Sequence, residues 1–406
     1  MKILIVGSSK LPVPAIKGGA VPNLIEELIQ ENEIKKNVDL YCCSIWDKDA
    51  EYESYKYKSS KFIWVKIPKV IKLLDIFLYH IFKDIFRIQR LLSIRFFFQI
   101  IWYTFVVAIL ISNKKFDKII FENSVPVLFS LKLFNNKHRY KNKYYVHMHS
   151  VPRKYYGNLN VFRNCKKLIC VSNFVAGEIL KHEKLKLDKK KVNIMYNCID
   201  TQLIRPLGEK ETVKLREKYG IPENKKIILF VGRLCKEKGI EEVIHAVNSL
   251  DKKEFVLLIV GSNFYNSGII SSYEEKIKKL CETIKENIYF TGYIDYIDMV
   301  YFYNLANVVV LPSMWDEPAG MTIIEAMACK KTIITTKSGG IPEYVGINNC
   351  ILLERDARIV ESIAFYIKKL LQDKEYCNSI AERAYQRAIK YNKSFYYQQF
   401  LKLIED

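Results

Sequence analysis

A chain of 406 residues exceeds what one hydrophobic core of ordinary size holds, and half of its residues are apolar, so two packed domains are expected. The formal net charge of +20 (pI near 9.3) suits phosphorylated or polyanionic partners, but no nucleic-acid module is visible, so nucleic acid is not expected among them. Ten cysteines occur without a Cys-x-x-Cys pair or a Cys/His cluster, which argues against a zinc site or a disulfide framework and for reduced core thiols of a cytosolic protein.

The first half opens on Met1-Lys-Ile-Leu-Ile-Val-Gly7, which reads as a strand over Ile3–Val6 and not as a signal segment. A loop to Ala20 follows, then a helical pattern from Val21 to Gln30. Further strands are expected at Val38–Cys42, Phe62–Ile67, Lys118–Phe121, Tyr144–His147 and Lys167–Val171. The second half restarts the alternation. Strands are expected at Lys226–Val231, Phe255–Val260, Ile288–Phe290, Val308–Leu311 and Thr332–Thr335, with helices near Ile240–Leu250, Tyr273–Ile284 and Tyr296–Ala306 and a last one around Ser394–Ile404. Short apolar strands alternating with helices specify α/β architecture: two doubly wound parallel sheets, joined near Thr201–Glu209, with ligands beyond the strands' carboxyl ends and a cleft between the domains. The expected boundaries are 1–200, 201–390 and a C-terminal helix over 391–406 crossing back to the first domain.

Residues 61–111 are unusual. From Lys61 to Arg95 eight cationic side chains stand against Asp75 and Asp84, a local excess of six. Lys72, Asp75, Lys83, Asp84, Arg87 and Arg90 recur at helical spacing beside an apolar face of Leu73, Leu74, Phe77, Ile81, Phe82, Ile85 and Ile88. That pattern fits an interfacial amphipathic helix on an anionic membrane and equally a helix packed under the first domain. The apolar run Phe96–Ile111 is short of the ~20 residues a membrane span needs.

Chemistry concentrates in a few loops. Glu317-Pro-Ala-Gly-Met-Thr-Ile-Ile-Glu325 follows an apolar strand; Pro318 is expected at a first helical position, placing Glu317 at the helix N-terminus and Glu325 two turns below. Between the carboxylates the amides of Ala319, Gly320 and Met321 would face an anion. Carboxylate, amides, carboxylate matches a ligand with hydroxyls, phosphates and hydroxyls in that order, as in a nucleotide sugar. Val231-Gly-Arg-Leu-Cys-Lys-Glu-Lys-Gly239 supplies Gly232 at a strand end, with Arg233 and Lys238 as two cations for a departing diphosphate and Lys236 as a competitor. Gly18-Gly19-Ala20 precedes a helix and lets a phosphate or sugar approach the backbone. His149, at a strand end, would project towards the ligand, whereas His147 would face the other side. Asp47-Lys-Asp49 has the Asp-x-Asp form of a cation site but reads as solvated, so no metal ligand is expected.

Taken together, Glu-x7-Glu, the Gly-Arg-Leu…Lys-Gly loop, Asn197-Cys-Ile-Asp200, Thr291-Gly-Tyr, Leu311-Pro-Ser313 and Gly339-Gly-Ile-Pro-Glu343 resemble the retaining glycosyltransferases of family 4, which have the GT-B fold. The resemblance is strong over 190–350, and the opening Gly7-Ser-Ser-Lys-Leu-Pro-Val-Pro segment looks like transferases of capsule and surface-polysaccharide assembly, rhamnosyltransferases among them. It implies that Glu317 holds donor-sugar hydroxyls, Glu325 the ribose, and Gly320, Met321, Arg233 and Lys238 the diphosphate, with Gly19 near diphosphate and acceptor and His149 near the transferred sugar. Cys198 departs from the family's usual glycine. The implied activity is metal-independent, cofactor-free transfer of a rhamnosyl or hexosyl group from a nucleoside-diphosphate sugar to a glycan acceptor, polyprenyl-linked, at the inner membrane face. The alternative is a non-catalytic relative that binds glycan or sugar nucleotide in surface or coat assembly.

Overall fold

The computed structural model describes residues 1–82, 95–261 and 272–405. They divide into two compact units, Met1–Tyr196 with Tyr396–Asp406, and Asn197–Phe395.

The first unit is built on a seven-stranded sheet: β1 (Lys2–Val6), β2 (Asp39–Ile45), β3 (Lys61–Val65), β4 (Lys118–Glu122), β5 (Tyr144–Met148), β6 (Lys167–Cys170) and β7 (Val192–Ile194). The spatial order is β3-β2-β1-β4-β5-β6-β7, and neighbouring strands run parallel. The second unit holds six: β8 (Lys226–Val231), β9 (Phe255–Val260), β10 (Ile288–Gly292), β11 (Val308–Leu311), β12 (Thr332–Thr336) and β13 (Ile351–Leu353), in the order β10-β9-β8-β11-β12-β13, again parallel. Strands such as Phe255-Val-Leu-Leu-Ile-Val260 are buried at every position, as parallel strands covered by helices on both faces must be. In each sheet the strand order reverses at one place, between β1 and β4 and between β8 and β11. At these switch points the loops diverge and open a crevice for ligands. The loops after β1, β8 and β11 carry most of the residues singled out by the sequence, and His149 follows β5.

Two short strands, β7 and β13, went unread because three residues each are too few for a periodic signal. The first helix runs Ala20–Lys35, longer than its expected core, and ends where Lys36 turns left-handed. The C-terminal helix spans Lys393–Glu405 and packs in the first unit, where the Tyr397 hydroxyl donates to Asn32 Oδ1 at 2.7 Å. The Phe96–Ile111 run forms a helix over Phe97–Asn113. Among the described residues no helix is long and apolar enough to cross a membrane. Of the basic amphipathic stretch, Lys69–His80 is helical, while Lys83, Asp84, Ile85, Arg87, Ile88 and Arg90 lie outside the described residues.

Helix Lys69–His80 is pinned to helix Phe97–Asn113 through one side chain. The buried Asp75 carboxylate accepts from the backbone amides of Phe98 (2.8 Å) and Gln99 (3.0 Å), satisfying the free end of the second helix from outside. Gln99 and Tyr103 then tie that helix to the β1 loop, donating to the carbonyls of Ser9 (2.6 Å) and Gly7 (3.1 Å). Asp47 is a structural cap, not a solvated acid. It accepts from Asp49 N (3.0 Å) and Ala50 N (3.4 Å) at the start of helix Lys48–Ser54 and pairs with Lys17. Replacing Asp75 with Ala should destabilise the first unit by about 1–2 kcal/mol, the usual worth of an N-cap with buried amides. Unchanged urea unfolding of D75A would show that this cap does not hold the two helices together.

Candidate active site

The second unit's site is assembled by three loops at the β8/β11 switch point. Gly339, at φ 55°, lets the loop after β12 lie directly on the backbone of Glu317: a Cβ there would sit 2.2 Å from the Glu317 carbonyl oxygen. Gly340 N donates to the same carbonyl at 2.7 Å. Gly239, at φ 71°, plays the equivalent part for the loop after β8, where a Cβ would meet the Pro312 carbonyl oxygen at 2.0 Å. Met314 N also donates to Glu237 O at 2.9 Å.

This packing buries the Glu317 side chain, which is 9 % exposed. Its carboxylate accepts from Lys238 Nζ and from Ser313 Oγ (3.0 Å). Lys238 is therefore the cation that the fold delivers to Glu317; Arg233, in the same loop, is exposed, and so is Lys236. The cavity beside Glu317, which Lys238, Ser313, Gly320 and Thr322 help to line, is about 20 Å³ in this conformation. That volume holds a water molecule and not a nucleotide.

The helix expected to start at Pro318 starts at Met321 and runs to Ala328, with Gly320 at its N-cap. Residues 317–320 form a loop because Gly320 turns left-handed (φ 76°) ahead of the helix. The two glutamates are thus not spaced along one helix axis. Ala319 is buried before the helix, and the free amides of the first turn belong to Met321 and Thr322. Glu325 is the fifth residue of the helix and is 7 % exposed. Burial raises its carboxyl to about 7, although the Tyr303 hydroxyl, donating to Oε2 at 2.7 Å, pulls the other way.

In the first unit, Gly19 is the N-cap of helix Ala20–Lys35, at φ 106°. His149 lies just past β5. His147 does not face the other side: residues two apart on a strand share a face, and the two rings lie 4.1 Å apart between centroids. Both meet Glu122, the last residue of β4, which pairs in register with His147. His149 Nε2 is 2.8 Å from Glu122 Oε2, and His147 Nδ1 is 3.2 Å from Oε1. Burial alone would raise the Glu122 carboxyl, but the two imidazoles hold it well below the usual carboxylate range. Burial, and then His147, lower His149 to about 4 against the opposing pull of Glu122. An ionised Glu122 only accepts, so His149 carries its proton on Nε2. Its Nδ1 is buried without a partner and left as an acceptor. Among the described residues these three are also the group that could hold a metal ion, with ligand atoms within 4.8 Å of one another. Glu122, Ser313 and Tyr303 went unassigned in the sequence; pairing β4 with β5 would have brought Glu122 to the histidines.

Cys198 is buried with ordinary backbone angles, so glycine is not required there. Its neighbour Asn197 donates its backbone N–H to the Tyr344 hydroxyl at 2.9 Å.

Two doubly wound sheets with these loops at the switch points define the GT-B fold. Residues 211–387, which include the whole Glu317–Glu325 segment, match the family described as glycosyl transferases group 1. The chain is 29 % identical over 230 residues to a glycosyltransferase-named relative from Bacillus subtilis, YtcC, covering 55 % of this chain and 56 % of that protein. It is 29 % identical over 273 residues to the lipopolysaccharide 1,2-N-acetylglucosaminetransferase of Salmonella typhimurium, covering 65 % of this chain and 67 % of that protein. The chain spans about half the length of several curated relatives it matches. Among solved structures, a glycosyltransferase from Rickettsia africae superposes with a TM-score of 0.75 at 21 % identity, covering 99 % of this chain and 97 % of that one.

Gly339→Ala should cost at least about 2 kcal/mol, because its Cβ cannot coexist with the Glu317 backbone. The check is thermal unfolding; a G339A protein as stable as wild type would mean that the two loops do not depend on this approach.

Proposed function

We propose that this chain is a retaining, metal-independent glycosyltransferase that moves a sugar from a nucleoside-diphosphate sugar to a lipid-linked glycan acceptor in cell-surface polysaccharide assembly. The observation that carries the reading is the buried Glu317 carboxylate paired with Lys238 and Ser313 beside the free amides of Met321 and Thr322. An acceptor-rich carboxylate next to unpaired N–H donors offers one group to sugar hydroxyls and the other to phosphate oxygens.

In the reaction, the acceptor hydroxyl oxygen bonds to the sugar's anomeric carbon as the bond from that carbon to the diphosphate oxygen breaks. The departing diphosphate takes the hydroxyl proton and the bonding electron pair. Lys238, once released from Glu317 by the incoming phosphates, and Arg233 offset the charge that builds on the leaving group, while Glu317 turns to the donor-sugar hydroxyls. Preorganised cations matter most for charge present in the transition state. Glu325 is assigned to the ribose hydroxyls. The Gly19 and His149 roles rest on the family resemblance, and a bare Nδ1 suits His149 to accept from a sugar hydroxyl. Membrane contact and a cytoplasmic location belong to the same proposal.

Two tests follow from these roles. Glu317→Ala and Arg233→Ala should each cut transfer by about a hundredfold or more in folded protein, the scale set by losing one transition-state charge contact. Full activity of either purified variant contradicts the assignment. Glu325 gives a pH test. Ribose hydroxyls donate more strongly to it when it is ionised, and in the free protein it holds its proton up to about pH 7. Affinity for UDP, GDP or ADP, whichever shifts the melting temperature most, should therefore rise between pH 6 and pH 8 more steeply in wild type than in Glu325→Gln. Parallel profiles would remove Glu325 from the nucleotide site. Without ligand the sign is opposite: the folded-state pKa is raised, so the stabilisation is present below the ordinary glutamate pKa and is lost as pH climbs through 7.

A further inference from the structure

The first unit contains a cavity of about 720 Å³, far beyond the voids that packing leaves and within the range of ligand sites. One wall is a stripe on helix Phe97–Asn113, where Phe97, Ile101 and Phe105 recur every fourth residue, and Phe129 also lines the cavity. These side chains are 48 %, 52 %, 42 % and 44 % exposed, an unusual concentration of large apolar groups around one mouth. Among the described residues of the lining the charged ones are Lys10, Arg153 and Lys154, with no carboxylate. The surroundings of the Lys10 ammonium already hold its pKa below the ordinary lysine value by desolvation, so an anion beside it would be welcome. At the floor, Asn158 is fully buried. Its Nδ2 donates to the Val125 carbonyl at 2.9 Å, while its Oδ1 has no partner and can accept from a hydroxyl.

An apolar wall, three cations with no carboxylate among the described lining residues and one buried acceptor describe a ligand with a hydrocarbon chain, an anionic head and a hydroxyl. We propose that this cavity binds the lipid-phosphate portion of a lipid-linked acceptor, with the chain along Phe97, Ile101, Phe105 and Phe129 and the phosphate at Lys10, Arg153 and Lys154. The neighbouring helix Lys69–His80, held to this one by Asp75, leaves Val70, Leu73, Ile76 and Phe77 between 54 % and 65 % exposed, so the apolar surface continues outward from the cavity's own helix. A lipid chain emerging from a bilayer meets such a surface first. The inference rests on the reading of the chain as a sugar transferase and adds where the acceptor's lipid sits.

The test measures binding of farnesyl diphosphate and of inorganic pyrophosphate to the full chain by titration calorimetry. It also measures capture by phosphatidylcholine vesicles with and without undecaprenyl phosphate, and by phosphatidylglycerol vesicles. Farnesyl diphosphate should bind at least about tenfold tighter than pyrophosphate, since several buried methylenes contribute about 0.8 kcal/mol each. Ile101→Asp should remove that advantage, and the exposed pair Arg153→Glu with Lys154→Glu should weaken both ligands, while the melting shift given by the best nucleoside diphosphate stays as in wild type. Equal binding of the two diphosphates, or an I101D protein that keeps the preference, overturns the proposal. So does capture by phosphatidylglycerol alone as strong as by undecaprenyl phosphate, because bulk headgroups would then suffice. Farnesyl diphosphate binding without any nucleoside-diphosphate shift would instead count against the transferase reading and leave the cavity's lipid-phosphate assignment standing.

Discussion

The candidate donor site depends on one close approach between backbones. The loop after β12 lies on the loop after β11 with no room for a side chain at Gly339, and Gly340 donates to the carbonyl of Glu317. That contact takes the Glu317 carboxylate out of water. A carboxylate so buried is costly unless something compensates it, and Lys238 and Ser313 do so from the loop after β8 and from the same β11 loop. The pairing is complete in the free protein, which explains why the cavity beside it is small. A ligand bearing phosphates and hydroxyls can replace both halves of the pair at once, giving phosphate to the ammonium and hydroxyls to the carboxylate. A ligand with only one of these groups leaves a buried charge unmatched.

Three buried glutamates illustrate how surroundings divide chemical roles within one chain. Glu317 has a cation, Glu325 has only the Tyr303 hydroxyl, and Glu122 has two imidazoles. Burial acts on Glu325 with little to oppose it, so that its proton is held up to about 7. Glu122 is driven the other way and fixes the proton of His149 on one nitrogen, leaving the other free to accept. Equivalent carboxyls thereby become an ion-pair partner, a pH-sensitive group and an orienter of histidine.

Most of the architecture was legible in the chain because parallel strands buried on both faces are continuous apolar runs, and Ile3–Val6 or Phe255–Val260 admit little else. The three-residue strands β7 and β13 offered no period to read. The candidate site was legible as residue types, but its geometry was not. Pro318 looked like a helix start, yet the left-handed turn at Gly320 delays the helix to Met321. The His147 assignment ignored the twofold period of strands, and Glu122 could not be connected with His149 without knowing that β4 and β5 are neighbours. Asp47 resembled a metal motif because capping aspartates and metal-binding aspartates use the same residue type; only the amides of Asp49 and Ala50 tell them apart.

Cations with no described carboxylate beside exposed apolar groups set the other cavity apart from the candidate donor site. There the cations have no carboxylate among the described lining residues, whereas Lys238 is already paired. The most direct measurement of the central claim is amide hydrogen exchange over residues 312–325, with and without saturating nucleoside diphosphate. If the diphosphate sits on the free first-turn amides, exchange at Met321 and Thr322 slows on binding and slows less in a Lys238→Ala protein. Protection that appears elsewhere, with residues 312–325 unchanged, would contradict a donor site built around Glu317.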